Sequence, residues 1–276
     1  LTPIWSIITP GGGLIANNED QFALDGGVYQ ILVTDDNGCQ DSIQVTINEP
    51  TVLTGSITAQ ANVSCNGLSD GSVTVAGAGG TSPYLYDIGA GNQASGTFSG
   101  LAAGNYTVTI TDDNGCQTTV PVAITEPTVL SGSITAQTNV SCNGLSDGSV
   151  TVVGAGGNSP YQYDIGAGNQ ASGTFSGLTA GNYTVTITDD NGCQTTVPVT
   201  ITEPIVLTGS ITAQTNVSCN GLSDGSVTVA GAGGTSPYLY DIGTGNQVAW
   251  AFSGLTAGNY TVTITDDNGC QTTVPV

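Results

Sequence analysis

Gly104-Asn105-Tyr106-Thr107-Val108-Thr109-Ile110-Thr111-Asp112-Asp113-Asn114-Gly115-Cys116, continuing as Gln117-Thr118-Thr119-Val120-Pro121-Val122, decides the fold. Tyr106, Val108 and Ile110 alternate with Thr107, Thr109 and Thr111, so an extended chain presents one apolar and one hydroxylated face. Asn114-Gly115 suits the positive φ angles of a tight hairpin turn. Beyond the turn Val120, Val122 and Ile124 resume the alternation. Pro121 lacks an N–H, which predicts that the return strand lies at a sheet edge.

The same nineteen residues recur unchanged at Gly181 to Val199 and at Gly258 to Val276, and a looser copy runs from Gly27 to Cys39. Cys39, Cys116, Cys193 and Cys270 stand 77 residues apart, and Cys65, Cys142 and Cys219 share that step. A fixed period is read before any fold, because each period is one structural module. The chain therefore divides into residues 51–127, 128–204 and 205–276, the last truncated at its final strand, preceded by the back half of a divergent unit at 1–50. Units 51–127 and 128–204 differ at seven positions. There is no initiating Met and no leader-like or membrane-length apolar run, and the chain starts within a unit. We expect it to be a stretch of a longer secreted protein.

Within 51–127 the strands are predicted at Leu53 to Gln60, Ser72 to Val75, Tyr84 to Ile88, Thr97 to Ser99 and the two arms of the hairpin. Position 85 is Leu while its equivalents are Gln162 and Leu239. A polar swap is easiest on a solvent face, which leaves Tyr84, Tyr86 and Ile88 inward. In the divergent unit Pro3 to Ile7 falls where the motif has Pro83 to Ile88, Gly11 to Asn18 is a loop, and Tyr29 to Thr34 and Ser42 to Ile47 form the hairpin. Short antiparallel strands with no helical period predict an all-β fold, with tandem immunoglobulin-like Greek-key β-sandwiches arranged as a rod on stiff Glu-Pro joints. Tyr106 resembles a tyrosine corner; a plain core tyrosine fits equally.

The chain holds 21 Asp plus Glu and no Lys, Arg or His among 276 residues. Nucleic acid and phosphate ligands require basic groups, so they are excluded as partners, and nothing suggests membrane insertion. Ser/His/Asp and Cys/His catalysis cannot exist here, and identical acids at every turn do not form one active site, so the chain is read as not an enzyme. The thiols are not clustered for zinc. Isolated cysteines at fixed phase instead predict disulfides and an extracellular, cell-surface setting.

Cys65-Asn66-Gly67, Asp70-Gly71-Ser72-Val73, Gly80-Thr81-Ser82-Pro83-Tyr84, Gly100-Leu101-Ala102-Ala103-Gly104-Asn105-Tyr106 and Ile124-Thr125-Glu126-Pro127, in that order, resemble the SprB-type repeat of gliding-motility and cell-surface adhesins of Bacteroidota. The resemblance spans the three fuller units and the hairpin of the first. Tyr84-Leu85-Tyr86 departs from the aromatic-Ser-Trp strand common in the family, to which Ile4-Trp5-Ser6 is closer. The resemblance implies type IX secretion, display in long arrays, and a structural or adhesive role as a stalk or filament segment. The alternative is a Ca²⁺- or carbohydrate-binding adhesion module. Implied partners are neighbouring repeats, identical chains in a fibre, and surface polysaccharide or a host or other substratum.

In an immunoglobulin-like sandwich the final hairpin tip and the loop between the first two strands lie at opposite poles. Disulfide partners need Cα atoms within about 7 Å. A head-to-tail array would then pair Cys65 with Cys193 and Cys142 with Cys270. The ordinary alternative keeps each bridge within a unit: Cys65–Cys116, Cys142–Cys193 and Cys219–Cys270. The same layout gathers Asp70, Glu126, Asp189 and Asp190 at one boundary, and Asp147, Glu203, Asp266 and Asp267 at the next. Oxygen ligands of this kind suit Ca²⁺, the one cofactor the sequence suggests; turn chemistry and solvation account for the same acids without an ion. Ser42, in Asp41-Ser42-Ile43, matches an O-glycosylation pattern. Asn62-Val63-Ser64 and Asn105-Tyr106-Thr107 match the N-linked one. Trp250 is read as a local repacking, with an exposed binding aromatic as the alternative.

Overall fold

The computed structural model describes residues 2–7, 14 and 20–276. All regular structure among them is β, and there is no helix to cross a membrane. The chain forms two compact units, one of residues 1–63 and 67–125, the other of residues 64–66 and 126–276.

The first unit opens with β1 (Thr2–Ile7), β2 (Gly27–Thr34) and β3 (Gln40–Ile47), an antiparallel sheet in that order. It continues with β4 (Thr54–Ala61), β5 (Gly71–Ala78), β6 (Leu85–Asp87), β7 (Thr97–Leu101), β8 (Gly104–Thr111) and β9 (Gln117–Ile124). These six form two sheets, ordered β4-β5-β7 and β6-β8-β9. That is the immunoglobulin-like Greek key reduced to six strands, with β9 on an edge, where Pro121 costs no ladder bond.

The second unit holds two such sandwiches. One has β10 (Ser131–Thr138), β11 (Gly148–Ala155), β12 (Gln162–Asp164), β13 (Thr174–Leu178), β14 (Gly181–Thr188) and β15 (Gln194–Ile201). The other has β16 (Thr208–Thr215), β17 (Gly225–Ala232), β18 (Leu239–Asp241), β19 (Ala251–Leu255), β20 (Thr261–Thr265) and β21 (Gln271–Pro275). Their sheets repeat the same order.

The alternation read from the hairpin is the core. Val108 and Ile110 are fully buried, and Val120, Val122 and Ile124 nearly so. They meet Val73, Val75 and Phe98 from the facing sheet. Tyr86 is buried and Leu85 exposed, as the Leu/Gln swap implies. Gly55 of β4 sits directly on this core: a Cβ there would come within 2.4 Å of Ile110 Cδ1 and 2.5 Å of Val120 Cγ2. Each sandwich has its own apolar cluster built from equivalent residues.

Tyr106 is a tyrosine corner: its hydroxyl donates to the Ala102 carbonyl at 3.0 Å. Tyr29, Tyr183 and Tyr260 make the equivalent bond four residues back. Tyr86 has a polar role that the sequence did not signal, since its hydroxyl accepts the Gly77 N–H at 3.1 Å.

Two local expectations are corrected. The hairpin is not a two-residue turn with both central residues at positive φ. Asp112 to Cys116 form a five-residue loop in which Gly115 alone takes positive φ, +82°. In the divergent unit, Pro3 pairs with Val33 where Tyr86 pairs with Ile110, so β1 runs three residues out of step with the motif alignment. The predicted loop at Gly11 to Asn18 lies outside the described residues, residue 14 excepted.

Within one sandwich the buried and exposed faces should separate cleanly in energy. Ile187→Ala empties a fully buried position and is expected to cost about 2–5 kcal/mol. Gln162→Leu on the exposed face should stay within about 0.5 kcal/mol. Denaturant unfolding of the two variants measures both.

Candidate functional site

The hairpin tips carry the chemistry. Asp112, Asp189 and Asp266 are the buried acids of the chain among the described residues, each 4–5% exposed. Asp189 Oδ1 accepts the N–H groups of Asn191 at 3.0 Å and Cys193 at 2.8 Å, holding the turn closed. Its Oδ2 accepts the Asn158 N–H at 2.9 Å, fastening the tip to the loop after β11. Asp112 makes the same bonds to Asn114, Cys116 and Thr81, and Asp266 to Asn268, Cys270 and Thr235. Asp35 closes the divergent turn through Asn37 and Cys39. Short polar side chains that capture their own backbone two residues on are a recognised turn device. The third bond, to a residue 31 positions away, has no local signal.

The tip lies at the start of its sandwich and the first loop at its end. In the second unit Gly157 N donates to Thr128 O at 2.9 Å beside Asp189, while Val140 N donates to Thr202 O at 3.0 Å at the other pole. Cys142 and Cys193 are thus kept apart, and the within-unit alternative is not formed. The bridges are Cys65–Cys193 and Cys142–Cys270, each spanning 128 residues with Cα atoms 5.7 Å apart. Cys116 and Cys219, partners in that alternative, are free and exposed, as is Cys39.

Hydrogen bonds seat each bridged loop. Asn191 Nδ2 donates to Ser64 O at 2.9 Å, and Asn66 Nδ2 to Pro127 O at 3.0 Å. One step on, Asn268 Nδ2 donates to Ser141 O at 2.9 Å and Asn143 Nδ2 to Pro204 O at 3.1 Å. Gly144 N adds a 2.7 Å bond to Glu203 Oε2. The seat therefore consists of the tip asparagine, the Glu-Pro joint and the tip cysteine.

The acids suggested for Ca²⁺ have other partners. Asp189 and Asp266 face backbone amides, and Asp190 and Asp267 are exposed. Asp147 accepts the Ser141 N–H at 3.0 Å and the Ser141 hydroxyl, closing its own loop. Glu203 takes the Gly144 amide, and Asp70 and Glu126 are exposed and engaged. Among the described residues no three of His, Cys, Asp or Glu group to hold a metal ion. Ser42 is exposed on β3. Trp250 is 58% exposed and Val248 70%, so this run of apolar replacements is not a repacking into the core.

These amides set the titration. The Thr81 N–H, then those of Cys116 and Asn114, hold the Asp112 carboxyl below its ordinary value of 3.8 against the opposing effect of burial. The Gly89 amide does so for Asp87, and the Ser141 and Ser218 hydroxyls for Asp147 and Asp224.

The family model described as SprB repeat matches residues 57–93, 134–170 and 208–247. The chain carries three SprB repeats. Each match begins in the first strand of a sandwich and ends at or just beyond its Gln93-type loop, short of the hairpin. No curated protein matches the sequence. Among solved structures, the three N-terminal domains of the outer capsid protein Hoc of bacteriophage RB49 share 14% identity, over 82% of this chain and 95% of that one, with a TM-score of 0.38. The N-terminal eight Ig domains of Down Syndrome Cell Adhesion Molecule share 12%, over 99% of this chain and 44% of that one, at 0.36. Protocadherin gammaB7 EC3-6 shares 12%, over 100% and 92%, at 0.28. SprB repeats and long-range disulfides together mark an extracellular or cell-surface repeat protein with a structural or adhesive role.

Two outcomes follow from this geometry. A carboxylate with a depressed folded pKa adds stability above its unfolded pKa and loses it as pH falls through the folded value. Without His or Lys, the melting temperature should be flat from about pH 8 to 5 and fall below 3.8. Loss of negative charge works the other way, but exposed charges are screened beyond about 8 Å at physiological salt; a melting temperature that rises on acidification would show repulsion to dominate. Mechanically, the shortest covalent route runs from residue 1 to Cys65, across to Cys193, back to Cys142, across to Cys270 and out to Val276, under half of the 276 residues. At about 3.3–3.6 Å per extended residue, reductant should more than double the contour length in single-molecule pulling.

Proposed function

We propose that this chain is a load-bearing segment of a stalk or filament, part of a large cell-surface adhesin exported by type IX secretion in a gliding member of the Bacteroidota. The observation that carries the reading is the pair of disulfides, each joining a first-strand loop to the hairpin of a later repeat rather than closing a repeat on itself. A bridge inside one repeat would stabilise that repeat alone. A bridge between repeats makes each resist separation from its neighbour, which suits a thread under tension. The absence of Lys and Arg, hence of any trypsin-type cleavage site, suits exposure outside the cell. Near-identical modules with separate cores behave as a linear array.

A second reading, an adhesion module binding carbohydrate or Ca²⁺, draws on the exposed Trp250 ring; loss of glycan binding in Trp250→Ala would carry it. The test of the main reading is antibody labelling of intact source cells. Label along extracellular fibres is expected, and its loss when the secretion system is disabled. Label confined to lysed cells would overturn the proposal.

A further inference from the structure

The third repeat departs from the other two chiefly in one place. Residues 205–276 differ from residues 51–122 at the equivalents of positions 51, 61, 90, 94 to 97 and 102, so half of the eight differences fall in one run of four. Ala94-Ser95-Gly96-Thr97, which recurs as Ala171-Ser172-Gly173-Thr174, becomes Val248-Ala249-Trp250-Ala251. The run leads into β19, the edge strand of the sheet ordered β16-β17-β19.

This replacement costs the repeat several contacts. A Cβ on Gly96 or Gly173 would collide with the carbonyl oxygen of Val75 or Val152, so a side chain at this position requires the loop to shift. The Trp250 carbonyl still accepts the Val229 N–H at 2.9 Å, the distance found at Gly96 and Gly173. Ser95 Oγ accepts the Thr97 N–H at 3.2 Å, and the Thr97 hydroxyl meets that of Thr74 at 3.1 Å. Ser172, Thr174 and Thr151 repeat both bonds. Ala249 and Ala251 can make neither. The change therefore releases the Ala251 N–H and the hydroxyl of Thr228, which stands opposite Ala251 in the ladder. In the same four residues it adds the exposed Trp250 ring and the exposed Val248. The core gains nothing in return.

Size and charge define what such a surface can hold. One ring and one valine offer about 250 Å² at most, against the roughly 800 Å² that each side of a stable protein interface buries. The patch suits a small rigid unit instead. A hexopyranose has a face of C–H groups that lies flat on the electron-rich face of an indole, and hydroxyls at its rim that both donate and accept. The chain has 21 acids and no cation, so it offers an acidic sugar no charged partner. Asp241, in the adjoining loop, is taken by the amides of Gly243, Thr244 and Gly245 at 2.7, 2.9 and 2.8 Å.

We propose that the third repeat alone of these three carries a glycan site, in which one pyranose ring of an uncharged hexose polymer stacks on Trp250 against Val248 and bonds to the Thr228 hydroxyl and the Ala251 N–H. This rests on the carbohydrate reading given second above, and adds to it the charge class of the ligand, the repeat that binds and the atoms that hold it. The other two repeats keep their hydroxyls paired and their glycine in place, and serve as spacers.

Affinity electrophoresis of the purified chain in gels holding a glucan, a galactan, a mannan or a polyuronate tests this. At least one neutral polymer is expected to retard the chain, and the polyuronate to leave it unretarded. The variant V248A/A249S/W250G/A251T restores the sequence of the other repeats; it should lose the retardation while its unfolding midpoint holds or rises. The reverse exchange, A94V/S95A/G96W/T97A, should create a second site and double the stoichiometry in titration with an oligosaccharide of the retained polymer. T228V should weaken binding severalfold without changing the stoichiometry. Trp250 fluorescence, read in W5F to remove the other indole, should change on saturation. Retention of a neutral polymer by the restored variant would overturn this site and leave carbohydrate binding standing elsewhere on the chain. Preference for the polyuronate would overturn the charge class. If none of the four polymers retards the chain, the carbohydrate reading falls together with this site, and the stalk reading is untouched.

Discussion

One buried carboxylate in the hairpin of each of the three sandwiches organises this protein. Asp189 turns the backbone at the tip by taking two amides of its own loop, and anchors the tip by taking a third from the loop after β11. The tip cysteine is itself one of the gripped residues, through its N–H, so its backbone is held in place before any partner arrives. Remove that grip and the hairpin would still pair, because its ladder and apolar face are independent of the turn. The cysteine and asparagine would no longer be aimed at the neighbouring loop.

The same device answers how a chain of 21 acids and no cations folds. No side-chain ion pair is possible, so each buried or loop-closing acid must find its compensation in N–H and O–H groups. A carboxylate that accepts several amides is favoured in its charged form. Asp87, Asp112, Asp147 and Asp224 are all stabilised as anions by this means. The exposed acids remain hydrated and keep the surface uniformly negative. Any association between such surfaces works against like-charge repulsion, and this gives the disulfides their importance.

Much of the fold is written in local pattern. The Tyr106 to Ile110 alternation names the core face because a strand's side chains alternate strictly, and the internal Leu85/Gln162 difference names the solvent face without recourse to any other protein. The tyrosine corner was half legible, since position and residue type are visible but the hydroxyl's backbone partner is not. Asp189 was half legible: Asp-Asp-Asn-Gly reads as turn chemistry or as a metal ligand, the turn bonds are local, and the third amide it accepts, from Asn158, comes from 31 residues away. The offset of β1 was also hidden, because a proline-aromatic motif does not fix which rung of the ladder a strand occupies.

By itself the sequence determined the repeat, the β class, the inward and outward faces, the exclusion of His- or Lys-dependent chemistry, and an oxidised extracellular setting. All of these follow from period, alternation or composition, which are properties of neighbouring residues or of simple counts. Tertiary structure decided which cysteine meets which. Seven thiols at two repeat phases permit bridges within a repeat or between repeats, and the spacing of 77 is silent between them. The choice falls to the Greek-key topology, which sends the hairpin tip to one pole of each sandwich and the first loop to the other, beyond the reach of a disulfide.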